Sequence, residues 1–375
     1  MPLQFIRTFV KLESSAGIIL FFAALMAIVI NHSPFTVFYH HLLGGQKNHL
    51  LFFINDGLMT IFFLLVGLEI KREMCEGELN SISKAILPGI AAVGGMIFPA
   101  MIYIGINFHH TAALRGWAIP VATDIAFSLG ILSLLGKKIP PHLKTFLMAL
   151  AIFDDVGAII IIAVFYTAHI AVLFLLLAFL LFLILLLLNY LHVPYLSIYC
   201  VMGALLWFCI LKSGVHATIA GVLLALCIPM HSQKISPLKR LEQYLHPVVA
   251  FVILPLFAFA NAGISFVGVT LPHFYASEFL GIVLGLFLGK QIGIWLFTFL
   301  AVRCRIAKLP ADITLMGVYG IALIAGVGFT MSLFIGLLAF HSHDSYLTLL
   351  RMGVMVGSLL SGLSGYFVLR RVYFK

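Results

Sequence analysis

Two carboxylates, Asp154 and Asp155, stand side by side inside the apolar run AIFDDVGAIII of a chain of 375 residues. On the insertion scale, an ionised side chain at the centre of a bilayer helix costs about 2.5–3.5 kcal/mol. Most other Asp and Glu, such as Glu13, Glu76, Glu278, Asp312 and Asp344, fall at the ends of apolar runs or between them. The further charges within apolar sequence are Asp124 in GWAIPVATDIAFSLG, Lys290 in GLFLGKQIGI and Asp56 near the outer end of the second run. Ionisable groups in such surroundings point to a functional site, and the plainer alternative is a structural ion pair between helices. Asp56, close to the aqueous boundary, is read as structural or as part of an entry path.

Successive residues on a helix project about 100° apart. One aspartate of the pair can therefore face a water-filled cavity while the other faces a neighbouring helix, where Lys290 is the cation within a span that could pair with it. A buried carboxylate can hold a proton or a hard metal cation, but not both. With the Thr123 hydroxyl and freed backbone carbonyls it would make an all-oxygen site, suited to a hard cation and poor for a thiophilic one. Competition of proton and cation for one carboxylate, combined with alternating access, is antiport.

The elements that must position these groups follow from composition. The chain is 63% hydrophobic and 9% charged, with mean hydropathy +1.16, whereas soluble domains carry about a quarter charged residues. It reads as an all-α membrane protein. Twelve transmembrane helices are expected at about 12–30, 50–70, 86–106, 117–135, 145–167, 170–190, 196–211, 214–230, 238–261, 279–302, 313–340 and 347–369. Loops are short, so residues 1–375 form a single integral membrane transporter domain with no soluble domain. The first run, preceded by Arg7 and Lys11, is followed by NHSPF rather than a small-residue cleavage site, and is read as a retained helix.

With the N-terminus cytoplasmic, seventeen of the 22 Lys and Arg fall on that side, four on the other, and Lys290 inside a span. That bias follows the positive-inside rule and places both termini in the cytoplasm. The net charge of +9 then needs no nucleic-acid partner. The five cysteines show no CxxC spacing, so neither a zinc site nor a disulfide framework is expected.

Two spans look interrupted. In the fourth, Pro120 removes a helical hydrogen bond one turn before Asp124. In the eleventh, GVYGIALIAGVGFTMS, Gly326 and Gly328 would let the backbone unwind, the plainer reading being close helix packing. The fourth is central in spans 3–5 and the eleventh in spans 10–12, and these two trios run in opposite directions. Broken helices at corresponding places of inverted three-helix repeats point to a secondary transporter with its site at the midplane. Where half-helices meet, N–H ends carry partial positive charge and carbonyl ends partial negative charge. Asp124 is placed to compensate the first and Lys290 the second.

The chain resembles the NhaA sodium/proton antiporters, a family that is itself a standard example of inverted repeats. The resemblance covers nearly the whole chain and rests on FFINDGLMTIFFLLVGLEIKRE, PVATDIAFSLG, FDDVGAI, SGVHATIAG, LHPVVAFVILPLFAFANAG, GLFLGKQIGI and AGVGFTMSLFI. It implies twelve helices with spans 4 and 11 unwound and crossed, and export of Na⁺ or Li⁺ driven by entry of two protons per cation. It also implies that Asp155 is the main ligand of Na⁺ or Li⁺, with Asp154 its partner and the mate of Lys290, and that Thr123 and Asp124 line the crossing. Glu69, Arg72, Glu73, Glu242 and His246 match the family's pH-sensing funnel, although Gln243 stands where the family often has histidine. His216 is similar to a residue associated with pH response, its alternative being a polar contact between helices.

Rival classes fare worse. An intramembrane aspartyl protease needs its aspartates on separate helices, commonly in Gly-x-Gly-Asp, and here Gly326-Val327-Gly328 is followed by Phe329. A channel would need a selectivity filter, and none is visible. The remaining competitor is a proton-coupled antiporter for another cation or a small organic substrate, against which the site lacks clustered aromatic and amide groups. The chain is thus expected to be a pH-regulated transporter and not an enzyme. No cofactor is expected, and its partners are Na⁺, Li⁺, H⁺ and the lipid bilayer of a bacterial inner membrane. A homodimer is compatible with this reading.

Overall fold

The computed structural model describes residues 14–43, 49–77, 79–167, 170–232, 236–264, 269–310, 312–340 and 344–374. Arg7 and Lys11, used above to orient the chain, lie outside the described residues. Every regular element among the described residues is a helix. Eight are long and apolar enough to cross a membrane, or up to eleven if each of three bent pairs is one span. The exterior supports the same reading: on Val172–Tyr190, Leu173, Leu176, Phe179, Leu180 and Leu183 are all exposed, a surface that water would not tolerate and lipid would.

Most expected spans appear with ends shifted by a few residues. The span expected at 214–230 is α-helical only over Ile219–Cys227. Gly214 adopts φ 85° at the end of Leu196–Ser213, a left-handed cap that terminates one helix several residues before the next begins.

The chain divides into two compact units. The first comprises Met1–Thr36, Ser81–Ala158 and Asn261–Lys375, and the second Val37–Asn80 and Ile159–Ala260. The first contains two of the three bent pairs, Thr111–Val121 with Ile125–Leu134, bent by 45°, and Leu315–Ala325 with Phe329–Ala339, bent by 46°. Leu147, Leu150, Ile294, Ile321 and Ile324 belong to its core. Leu68, Tyr199, Leu206 and Leu224 belong to the core of the second unit.

Two features of the first unit fix where Lys290 sits. The helix Ile82–Asn107 lies backbone to backbone against Ser277–Arg303: a Cβ on Gly94 would strike the Gly293 carbonyl, and one on Gly293 the Gly94 carbonyl. Small residues permit that approach, as is common between membrane helices. Immediately before Lys290, residues Gly285–Gly289 widen into a π turn. Such a turn inserts one residue and rotates the helical turns beyond it, and π turns recur at functional sites.

Candidate functional site

Asp124 is the N-cap of Ile125–Leu134, where its Oδ1 accepts from the Phe127 amide at 3.0 Å. Its Oδ2 accepts from the amide of Thr330 at 3.1 Å and from the Thr330 hydroxyl at 2.5 Å. Thr330 lies in the first turn of Phe329–Ala339. A single carboxylate, 2% exposed, therefore serves the positive ends of both second arms. Negative charge at a helix N-terminus is worth about 0.3–1 kcal/mol at a surface and up to about 2 when partly buried.

The carbonyl ends of the break are met from the opposite strand of chain. The Asp124 amide donates to the Val327 carbonyl at 2.7 Å. Thr123 Oγ1 lies 2.8 Å from the Ala325 carbonyl, and Ser128 Oγ 3.2 Å from that of Ile324. Ser332 Oγ donates to the Ile119 carbonyl at 2.7 Å, and the Phe329 amide donates to Ser358 Oγ at 3.2 Å. The two breaks thus cross and satisfy one another's backbone, as a lipid environment demands.

Gly326 and Gly328 have φ of −71° and −92°, values open to any residue. Their smallness matters for space rather than for unwinding. A Cβ on Gly326 would come within 2.5 Å of the Leu286 carbonyl, and one on Gly328 within 3.0 Å of the Ala122 carbonyl. Pro120 closes the first arm within the 3₁₀ turns of Arg115–Val121, after which Ala122 is extended.

The charged pair lies beside the crossing. Lys290 Nζ donates to Asp154 Oδ2 at 2.5 Å, and both side chains are fully buried. The same Oδ2 is 2.7 Å from Thr123 Oγ1. Thr123 has one hydroxyl hydrogen for two acceptors, Asp154 and the Ala325 carbonyl, so it serves one at a time. Asp154 Oδ1 is buried with no hydrogen-bond partner among the described residues. Asp155, the next residue on Pro141–Phe165, is also buried, at 2% exposure. The carbonyl ends are met by Thr123, Ser128 and the Asp124 amide, while the described hydrogen bond of Lys290 runs to Asp154. Among the described residues, no three His, Cys, Asp or Glu cluster as a metal site, and the five cysteines are unpaired.

The residues linked above to pH response, and Asp56, all fall in the second unit. There Arg72 bridges two carboxylates, with Nε 2.9 Å from Glu242 Oε1 and Nη1 2.8 Å from Glu73 Oε1. Glu69 is half-buried three residues before Arg72, and His246 is exposed on the helix Pro237–Val248 that carries Glu242. Asp56 sits in a π turn, Phe53–Leu58, with Oδ1 3.9 Å from His216 Nδ1.

Sequence reasoning missed a neighbouring cluster in which Glu76 meets His231 Nε2 at 2.6 Å and also meets Lys239. The hydrogen bond from Lys239 holds the Glu76 carboxyl below its ordinary value. What this contributes to stability is present at neutral pH and is lost as pH falls through that lowered value. It also missed Thr330, Ser128, Ser332 and Ser358. Their signal was the hydroxyl residues flanking each break, as in GFTMS.

These features define a multi-pass, all-helical membrane protein in which Asp124, Asp154, Asp155 and Lys290 are buried at or beside two crossed helix breaks. The family described as Na⁺/H⁺ antiporter 1 matches residues 7–369. A Na⁺/H⁺ antiporter NhaA 1 of Syntrophotalea carbinolica is 50% identical over 388 residues, covering 100% of this chain and 98% of that protein. NhaA antiporters of Rhodospirillum rubrum and Vibrio cholerae are 52% and 51% identical, covering 99% and 97% of this chain and 98% and 97% of their own lengths. The chain belongs to the Na⁺/H⁺ antiporter 1 family, a family of transporters and not of enzymes.

If Asp124 holds both second arms, Asp124→Ala should cost about 1–4 kcal/mol, since each lost cap is worth about 0.5–2. Asp124→Asn should cost less, because its amide oxygen can still accept from one arm. Thermal unfolding in detergent reads both variants, and equal stabilities for Ala and wild type would count against the double cap.

Proposed function

We propose that the chain is a secondary active transporter that exchanges cytoplasmic Na⁺, or Li⁺, for external H⁺ and serves sodium and pH homeostasis. The observation that carries this reading is the buried Asp154–Lys290 pair with Asp155 beside it, next to the crossed breaks. Asp155 is the main cation ligand. The partnerless Oδ1 of Asp154 offers a second charged oxygen, and Thr123 contributes its hydroxyl. The cation enters dehydrated, so its lost water oxygens must be replaced by such groups. Asp124 keeps the half-helix N-termini neutralised while the site is empty, protonated or loaded.

Exchange follows because cation and protons compete for the same groups. Asp155 releases one proton when Na⁺ binds, and the Asp154–Lys290 pair supplies the second, giving about two protons per cation. Movement of the site between the two sides then couples the flows. Residues 1–375 act as one membrane domain of twelve spans, with spans 3–5 and 10–12 as inverted repeats and both termini in the cytoplasm of a bacterial inner membrane. Glu69, Arg72, Glu73, Glu242, His246 and His216 form the pH-responsive groups. The carboxylates bridged by Arg72 support that assignment.

Purified chain in proteoliposomes should dissipate a pH gradient on addition of Na⁺. Asp155→Asn keeps the shape of the side chain but neither titrates nor carries charge. Na⁺-dependent proton movement should fall to background in a correctly inserted Asn variant, and appreciable exchange would remove Asp155 from the site.

Two protons against one cation move one net charge per cycle, and a charge crossing the full membrane potential is worth about 2.3 kcal/mol per 100 mV. An inside-negative potential should therefore drive Na⁺ outward at equal pH on both sides. The check is Na⁺ flux in vesicles clamped with valinomycin and K⁺ gradients. Flux indifferent to potential would mean one-for-one exchange.

A further inference from the structure

Lys290 is followed on its helix by Gln291, a polar residue only 5% exposed. Gln291 Oε1 accepts a 2.6 Å hydrogen bond from the hydroxyl of Tyr319. Tyr319 stands in Leu315–Ala325, the first arm of the second broken helix. The last residue of that arm is Ala325, whose carbonyl meets Thr123, and Thr123 also lies against Asp154. The links therefore close a ring: Asp154 to Lys290, one peptide step to Gln291, across to Tyr319, along the arm to Ala325, and back through Thr123 to Asp154. The exchange chemistry described above uses neither Gln291 nor Tyr319.

Three physical points give the link weight. The π turn Gly285–Gly289 ends just before Lys290, so the next turn is set by that wider geometry, and both Lys290 and Gln291 are buried. Gly289 packs with its Cα position against Pro99, a Cβ there falling 2.6 Å from the Pro99 Cα, which leaves the turn little room to rotate by itself. A hydrogen bond between neutral groups does not change with the charge on Asp154, so the Tyr319–Gln291 bond, part-buried between the two helices, persists through a cycle in which the Asp154 contacts change.

We propose that Gln291 and Tyr319 are positioning residues for the exchange reaction, their hydrogen bond fastening Lys290 to the first arm of the broken helix so that the amine and the Ala325 carbonyl approach or leave Asp154 together. The inference rests on the exchange function proposed above. Its consequence is that the bond sets how the loaded site is formed. Without it, the arm and the amine settle independently and fewer molecules present the binding geometry.

The test uses full-length chain with Tyr319→Phe, which removes only the hydroxyl, and Gln291→Met, which keeps length without the amide. A typical intramolecular hydrogen bond is worth about 0.5–1.5 kcal/mol net, which corresponds to a rise in KM for Na⁺ of about twofold to tenfold. The expected result is that rise in each variant with kcat within about twofold of wild type. The double variant should be no worse than the weaker single one, since one bond is lost once. Effects that multiply, or a KM unchanged in both singles, overturn the proposal.

Failure of the exchange reading itself shows differently, as wild-type chain that moves no protons with Na⁺. Hydrogen exchange of the amides of residues 315–325 decides the fastening in either case. Tyr319→Phe should speed their exchange about threefold or more in the wild-type background and add nothing in the Gln291→Met background, since either change removes the same bond. Equal increments in the two backgrounds overturn it.

Discussion

A helix broken within a bilayer exposes N–H and carbonyl groups to a medium that cannot hydrogen-bond them, and each unmet group costs several kcal/mol. Much of the first unit answers that constraint. Asp124 accepts from the starts of two second arms at once, while its own amide and the hydroxyls of Thr123, Ser128 and Ser332 take the exposed carbonyls. The crossing therefore holds itself together in lipid. Because the backbone there is not locked into a continuous helix, its oxygens and hydroxyls can be turned toward a ligand.

Burying Lys290 and Asp154 together has a different logic. A buried ion pair often contributes little net stability, because desolvation offsets the attraction, yet removal of either partner is costly. The pair at 2.5 Å is thus better understood as a device than as a fastener. It keeps a carboxylate available in the low-dielectric interior beside Asp155, with one oxygen still unmatched. The same Asp154 oxygen that receives Lys290 also touches Thr123, so a change at the carboxylate is felt at the helix break.

Much of this was legible in the chain. Continuous apolar runs gave helices, because in lipid only a helix satisfies its own backbone within one segment. The rarity of charge within those runs singled out Asp124, Asp154, Asp155 and Lys290, and Pro120 with the GVG stretch marked both breaks. Other features depend on distances between segments far apart in sequence. Nothing local says that Thr330 shares Asp124, a pairing 206 positions apart, or that His216 lies near Asp56. The π turns before Lys290 and around Asp56 leave the apolar pattern intact and so carry no periodic signal. Gly326 and Gly328 allow two readings in the sequence, freedom to unwind or close packing, and the neighbouring carbonyls of Leu286 and Ala122 show the second. Sequence distinguishes those two roles poorly, since both select glycine.

The central claim is that Na⁺ and protons compete for one set of buried groups at Asp154, Asp155 and Lys290. Proton release on Na⁺ binding, measured in weakly buffered detergent solution with purified chain and no membrane gradient, tests it most directly. The account predicts that saturating Na⁺ displaces about two protons per chain near neutral pH, with release falling as the starting pH rises and the groups empty beforehand. Na⁺ that binds without displacing any proton would contradict it.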